Sequence, residues 1–304
     1  MQYKNHLSNF RNWDQKDHAE EWLIFPENIG KRLSIDEVDV SNGELYTIIT
    51  NKKAKGKNGA LVAMIHGTKS SEIIPILSKI TLEKRNKVRE ITMDMAGSME
   101  LISQASFPNA IQVIDRFHVQ QLVSEAVQEI RIDLRRVTIK EENENIKQAR
   151  EDKKKYYPII FENGDSKKQL LARSRYLLFK PQSKWTEQQC ERAKILFKEY
   201  PETKRAYNLS MMFRSFYENS RTIPEAKERL DKWYKKVEKK NLDSFITASE
   251  SIRLHETNIL NYFINRSTNA SAESFNAKLK GFRTVIKGVR DKKFFLFRVS
   301  KLYG

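Results

Sequence analysis

Three aspartates lie in or just after apolar, β-branched stretches of the sequence: Asp36 in "SIDEVDV", Asp94 in "TMDMAGSM" and Asp115 in "AIQVIDRFHVQQ". Carboxylates that converge on one place repel one another unless a cation lies between them. Mg²⁺ prefers a few carboxylates together with water and phosphate oxygens, and two such ions can promote phosphoryl transfer. The residue types leave open a second interpretation, in which each aspartate belongs to a turn at a strand end.

A fourth acidic residue, Glu273, occurs in "TNASAESFNAKLKGFR". Thr268 or Asn269 is a suitable N-cap, which places Glu273 in the first turns of a helix. Residues that can bind a phosphate follow on or near the face of Glu273, namely Asn276, Lys280 and Arg283. An exposed amphipathic helix with no ligand is the alternative interpretation.

The elements that must position these residues follow from the hydrophobic pattern. Alternation and turn signals predict five strands, at residues 31–40, 44–52, 60–67, 87–95 and 109–117, with helices at 70–80 and 97–107. Three antiparallel strands followed by strand–helix–strand crossovers form a mixed sheet with helices on its faces. In such a sheet the first and fourth strands can be neighbours, which would bring Asp36 and Asp94 together.

The pattern changes to helical periodicity after His118, and residues 119–265 carry many charges and few strand signals. Residues 278–304 hold nine Lys or Arg and one acid. The charged segment "EENENIKQAREDKKKYY" is expected to be an exposed helix end or a loop. We therefore divide the chain into four segments. Residues 1–30 are an N-terminal extension, residues 31–126 and 266–304 are the two parts of a core, and residues 127–265 are a helical insertion between those parts.

The composition indicates the kind of partner. Lys and Arg number 56 against 39 acids, giving a net charge of +17 that favours a polyanion, with nucleic acid ahead of an anionic membrane. One cysteine, Cys190, allows no intrachain disulfide and no cysteine-based zinc site, which fits a reducing, intracellular location. The N-terminus lacks a signal-peptide pattern, and no apolar run approaches the ~20 residues of a membrane span.

Four stretches together resemble the motifs of bacterial insertion-sequence DDE transposases of the ISL-type group: "SIDEVDV", "TMDMAGSM", "FPNAIQVIDRFHVQ" and "TNASAESFNAKLKGFR". The resemblance covers the chain from about Leu33 to Val299, and the D-R-F-H-V run is its most specific part. It implies an α/β fold with an RNase H-like mixed five-stranded sheet, flanked by helices and interrupted by a mostly α-helical insertion.

The resemblance also implies roles for individual residues. Asp36, Asp94 and Glu273 match the catalytic residues that hold Mg²⁺ or Mn²⁺, as two ions. Asp115 and His118 match an accessory Asp-x-x-His motif, and it is open whether His118 reaches the cleaved phosphate or only caps a helix. The cationic and amide side chains beside these motifs are expected to bind DNA: Arg116, Asn276, Lys278, Lys280, Arg283, Lys287 and Arg290.

The reaction that the resemblance implies is cleavage of a phosphodiester at an insertion-sequence end, after which the freed 3′-OH attacks target DNA. The expected partners are double-stranded DNA and a second copy of the chain, in the bacterial cytoplasm and associated with the nucleoid. Two alternatives stay open. One is an RNase H-like nuclease or resolvase without strand transfer, and the other is a non-catalytic DNA-binding protein derived from a transposase.

Two departures from the family pattern stand out. The usual E-G-x-N around the glutamate is Glu273-Ser274-Phe275-Asn276 in this chain. Full-length members usually carry an N-terminal zinc-binding or helix-turn-helix region, for which Asp36 lies too close to Met1. Recognition of the element ends is therefore expected on a separate polypeptide or on the insertion and C-terminal helices, or it has been lost.

Overall fold

The chain folds into two compact units. The structure, a computed structural model, describes residue 4 and residues 8–40, 43–285 and 291–304. One unit, called here the sheet unit, combines Met1–His118 with Thr257–Gly304, and the other, the helical unit, is Val119–Glu256. All of the predicted catalytic residues belong to the sheet unit.

The sheet unit contains one six-stranded mixed sheet in the order β1-β4-β3-β2-β5-β6. Its strands are β1 Trp22–Ile24, β2 Arg32–Asp39, β3 Leu45–Asn51, β4 Leu61–His66, β5 Glu90–Met93 and β6 Ile111–Ile114. Strands β2, β3 and β4 form an antiparallel meander, and β5 and β6 add to β2 in parallel. The predicted α/β class, with a mixed sheet of RNase H-like type and a helical region, is confirmed.

Strand β1 adds a sixth strand to the five that were predicted. It pairs antiparallel with β4, with Leu23 opposite Met64, and Leu23 is fully buried. Phe10 and Trp13, also in the segment predicted as an extension, join the same hydrophobic core. A three-residue strand is too short for alternation of apolar and polar residues to reveal it.

Thirteen α-helices occur among the described residues. They are α1 Ser70–Leu77, α2 Leu82–Arg85, α3 Gly97–Ser106, α4 Arg116–Glu151, α5 Lys167–Arg173, α6 Glu187–Glu199, α7 Pro201–Asn219, α8 Ile223–Lys240, α9 Asp243–Leu254, α10 Glu256–Leu260, α11 Tyr262–Asn265, α12 Ala270–Val285 and α13 Lys292–Tyr303. Helix α4 begins directly after β6 and is continuous through most of the charged segment that was expected to be a helix end or loop. No helix among the described residues is both long enough and apolar enough to cross a membrane.

Two hydrophobic cores lie on the two faces of the sheet. On one face, Leu33 and Ile35 of β2 join a buried cluster with side chains of α1 and α3. On the other face, Val38 joins a cluster with Phe275 of α12 and Phe295 of α13. Because side chains alternate along a strand, Ser34 and Asp36 lie on the α12 side of β2.

The helical unit has a core of its own. Trp233 of α8 is fully buried, donates its indole N–H to the Leu209 carbonyl at 3.0 Å and packs on Phe213 with ring centroids 4.8 Å apart. The buried carboxylate of Asp165 is paired with Arg192 at 2.8 Å and also with Arg173. Buried carboxylates need such partners, since an unpaired one would be costly to desolvate.

Candidate active site

The register of three parallel strands aligns three aspartates. Ser34 of β2 lies opposite Thr92 of β5, and Met93 of β5 lies opposite Ile114 of β6. Continuing both registers places Asp94 beside Asp36 on one side and beside Asp115 on the other. Neighbouring strands are about 4.8 Å apart, so the three carboxylates share the carboxyl edge of the parallel strands. Ligands of open α/β sheets bind at this edge.

Asp36 is held between the backbone of β2 and helix α12. One of its oxygens accepts the backbone N–H of Glu37 at 2.8 Å, and the other accepts the side-chain amide of Asn276 at 2.7 Å. Burial, followed by the charge of Asp94, raises the pKa of Asp36 to about 7, and Glu273 acts in the same direction. The cluster therefore favours a nearby cation near neutral pH.

His118 binds the second predicted catalytic residue. Its Nε2 lies 2.8 Å from Oδ1 of Asp94. This hydrogen bond raises the pKa of His118, against the opposing effect of burial. His118 lies in the first turn of α4, and its ring contacts the carboxylate of Asp94 at the sheet edge. A role of His118 at the cleaved phosphate stays a prediction.

Asp115 connects the sheet edge to the segment that precedes α12. It is 2% exposed, and its carboxylate accepts the backbone N–H of Asn269 at 3.1 Å. The side-chain amide of Asn269 donates to the Ile35 carbonyl at 3.3 Å. These two bonds fix the start of α12 against β2 and β6, and so they position Glu273 one turn further on.

A compact group of possible metal ligands lies at this edge. One ligand atom from each of Asp115, His118 and Glu273 lies within 4.8 Å of the other two. Asp36 interacts electrostatically with Glu273 and with Asp94, and Asp94 binds His118. Together these five residues are called the acidic cluster below: Asp36, Asp94, Asp115, His118 and Glu273. Carboxylate and imidazole groups are common ligands of divalent metal ions.

Helix α12 carries four of the residues predicted to bind DNA, and the first three along the chain are Asn276, Lys278 and Lys280. Asn276 is buried at 8% exposure, and its amide serves Asp36. Lys278 is exposed and donates to the Gly56 carbonyl at 3.1 Å, while Lys280 is exposed. The lysines are accessible to a ligand, whereas Asn276 orients a carboxylate.

The remaining predicted DNA-binding residues lie in different surroundings. The guanidinium of Arg283 lies over the ring of Phe295 at 5.0 Å from its centroid. Arg116 is exposed and donates to the Tyr262 hydroxyl at 3.3 Å. Lys287 and Arg290 lie outside the described residues. Contact of any of these residues with DNA stays a prediction.

The sequence interpretation missed two residues that shape the site. One is Asn269, considered only as an N-cap, whose backbone N–H and side chain join α12 to the sheet. The other is Glu90, which is 3% exposed and lies on the same face of β5 as Thr92 and Asp94. The spacing of Glu90, Thr92 and Asp94 at every second residue was the available signal for a polar strip on that face.

Comparison with known proteins defines the class of this chain. A model of the DDE transposase family of ISL3 type, described as "Transposase", matches residues 33–299. The chain belongs to this family.

Two similar curated proteins are both named "Transposase for insertion sequence element IS1557". They come from Mycobacterium tuberculosis strains CDC 1551 / Oshkosh and ATCC 25618 / H37Rv. Each is 23% identical to this chain over 267 residues, which cover 86% of this chain and 57% of the relative. The chain thus spans little more than half the length of these relatives.

Proposed function

We propose that this chain is the catalytic part of a transposase that cleaves DNA strands at insertion-sequence ends and joins them to target DNA. The observation that carries the proposal is the alignment of Asp36, Asp94 and Asp115 on adjacent parallel strands, with Glu273 brought to the same edge by α12. Membership of the DDE transposase family supports it.

The proposed metal ligands are Asp36, Asp94 and Glu273, for Mg²⁺ or Mn²⁺ and for two ions in all. The residues fit such ions, because they supply carboxylate oxygens, and because burial, followed by the charge of Asp94, raises the pKa of Asp36 to about 7. When bound, the ions activate the attacking hydroxyl and stabilise the leaving oxygen of a phosphodiester. Asp115 and His118 support this set from the side of β6 and α4.

The side chains of the protein have separate tasks in this proposal. Asn276 orients Asp36 through the 2.7 Å bond, and His118 orients Asp94 through the 2.8 Å contact. Lys278 and Lys280 are exposed on α12, where they are placed to bind DNA phosphates without reading sequence. The nucleophiles are water and then the 3′-OH of DNA, so no serine or tyrosine of the chain forms a covalent intermediate.

The test uses duplex DNA taken from the regions that flank the coding sequence. The wild-type chain is expected to nick it with Mg²⁺ or Mn²⁺ and to be inactive in EDTA. A pre-cut duplex with a free 3′-OH end is expected to be joined to target DNA. Cleavage without joining would identify an RNase H-like nuclease or resolvase, and binding without nicking under any metal would identify a non-catalytic DNA-binding protein.

We further propose that the chain works as a homodimer on double-stranded DNA in the bacterial cytoplasm, near the nucleoid, because two element ends must be held together. A separate polypeptide is proposed to assist end recognition. Light scattering of the protein with and without DNA measures the stoichiometry, and a monomer on paired ends would contradict the dimer.

A further inference from the structure

A wide cleft opens at the end of β2 and β5 that lies opposite to the acidic cluster. Arg32 begins β2, Arg89 directly precedes β5, and Lys52 and Lys53 directly follow β3. The cleft has a volume of about 1190 Å³, and seven of its thirteen lining residues are Lys or Arg while none is acidic. We call it the basic cleft. None of its residues was among the predicted DNA-binding residues.

Most of this positive charge is not neutralised within the protein. Lys52 lies 3.8 Å from the carboxylate of Glu90, and Lys87 forms an exposed pair with Glu83 at 3.2 Å. In the part of the chain that the structure describes, no carboxylate pairs with Lys31, Arg32, Lys53 or Arg89. Like charges that line one cleft repel one another, and a polyanion that binds among them reduces that repulsion.

One wall of the basic cleft is fixed by the buried carboxylate of Glu90. One oxygen of Glu90 accepts the side-chain amide of Asn265 at 2.8 Å, and the other accepts the hydroxyl of Ser267. Arg266, between them, has the left-handed backbone conformation with φ of +51°. Glu90 therefore clamps both neighbours of Arg266, and this loop lies against the sheet in a defined conformation.

The opposite wall is fixed by Asn51. Its side-chain amide donates to the Asn28 carbonyl at 2.9 Å, and its side-chain oxygen accepts the backbone N–H of Lys53 at 3.0 Å. Gly30 packs directly on Asn51, since a Cβ at position 30 would lie 2.6 Å from the Asn51 oxygen. Side-chain hydrogen bonds on both sides thus organise the cleft before any ligand arrives.

We propose that the basic cleft binds the phosphodiester backbone of double-stranded DNA, independently of sequence, as a second DNA contact of the sheet unit. Lysine and arginine bind phosphate oxygens and so position a duplex without reading its bases. The choice of DNA among polyanions rests on the proposed function. Arg32 and the proposed metal ligand Asp36 are four positions apart on β2, about 13 Å at the usual rise of a strand, so the cleft and Asp36 lie toward different ends of that strand.

The test measures binding of the full chain to a fluorescent duplex of random sequence in EDTA, over a series of salt concentrations. The test variant is Lys53→Gln with Arg89→Gln. The matched control is Lys69→Gln with Lys79→Gln, two exposed lysines of the same unit that do not line the cleft. Only surface side chains are changed, so both variants are expected to fold. Thermal melts of both variants check this.

The test variant is expected to lose about tenfold or more in affinity near 0.1 M salt, with the slope of log K against log salt shallower by about 2. The control is expected to keep the wild-type slope. Equal losses in both variants would overturn the proposal, because general charge would then explain the binding. Tighter binding of a single-stranded RNA of equal length would overturn the assignment to duplex DNA.

Metal-dependent cleavage, measured separately, distinguishes failure of this proposal from failure of the proposed function. If wild-type protein cleaves DNA while the test variant binds as the control does, only the cleft proposal fails. If the test variant loses affinity while no metal supports cleavage, the cleft stands and the catalytic function fails.

Discussion

The acidic cluster and the basic cleft lie at opposite ends of the same two strands. Strand β2 begins with Arg32 and carries Asp36, while β5 is preceded by Arg89 and followed by Asp94. One loop serves both ends, because Glu90 binds Asn265 and Ser267, and Asp115 binds the backbone of Asn269. A short stretch before α12 is thus fixed to two carboxylates with structural roles.

The acidic side chains on this face of the sheet fall into two groups that differ in burial. Glu90 and Asp115 are 3% and 2% exposed, and both accept hydrogen bonds from the loop that precedes α12. Asp36 and Asp94 are only partly buried and repel each other. Residue type alone therefore does not separate a structural acid from a proposed ligand. The degree of burial does so, because Asp115 and Glu90 are almost completely buried whereas Asp36 and Asp94 are partly exposed.

The largest expected effect follows from the loss of a proposed metal ligand, which lowers DNA cleavage and leaves DNA binding unchanged. Asp36→Asn or Glu273→Gln removes one proposed metal ligand, so cleavage is expected to fall by about 10²–10³-fold or more, the size seen when a group that stabilises the transition state is lost. Duplex binding in EDTA is expected to persist, because the basic cleft is unchanged. Gel assays of nicking, beside anisotropy for binding, measure the two quantities on the same preparation.

The second prediction concerns His118. His118→Ala removes the 2.8 Å partner of Asp94, and cleavage is expected to fall by about 10–100-fold, as for other residues that orient a metal ligand. His66→Ala, which changes an exposed histidine at the end of β4, is the matched control. Unchanged cleavage by a folded His118→Ala protein would show that the contact with Asp94 has no catalytic role.

A smaller effect is expected from Asn276→Ala. Asp36 keeps the backbone N–H of Glu37 but loses the amide of Asn276, so a loss of about tenfold in kcat is expected, at the low end for such a positioning residue. A change confined to KM would instead mean that Asn276 binds DNA, as the sequence resemblance implies.

The smallest prediction concerns stability and pH. Asp36 has a folded-state pKa of about 7 against a usual value of 3.8, so the folded state binds more protons between these values and stability falls as pH rises through them. In EDTA, Asp36→Asn is expected to melt a few degrees higher than wild type at pH 8 and to match it near pH 3.5. A higher melting temperature that is the same at both pH values would contradict the charge explanation.

Much of the sheet was predictable from the sequence. Alternating residues identify β2 and the face that each of its side chains occupies, and a β-branched, apolar run identifies β3. The order of strands and helices allows β2 and β5 to be neighbours. The short strand β1 was not predictable from periodicity, because three residues are too few to show a period. Its strand conformation depends on backbone pairing with β4, which only the tertiary fold brings near.

The site was predictable in part. Resemblance singled out the five residues of the acidic cluster, but register places Asp115 level with Asp36 and Asp94, which no local pattern shows. The network of Glu90 with Asn265 and Ser267 spans about 175 positions of sequence, so it depends on tertiary structure alone. The basic cleft likewise combines four distant segments, none of which is unusual in isolation.

The most direct test of the account compares Asp94→Asn with Asp39→Asn. Asp39 lies on the same sheet, at the exposed end of β2, outside the acidic cluster. Both purified proteins are assayed for Mg²⁺-dependent cleavage of the flanking duplex and for duplex binding. Asp94→Asn is expected to bind DNA but no longer to cleave it, while Asp39→Asn is expected to cleave as wild type does. Cleavage by Asp94→Asn at the wild-type rate would contradict the assignment of the acidic cluster as the catalytic centre.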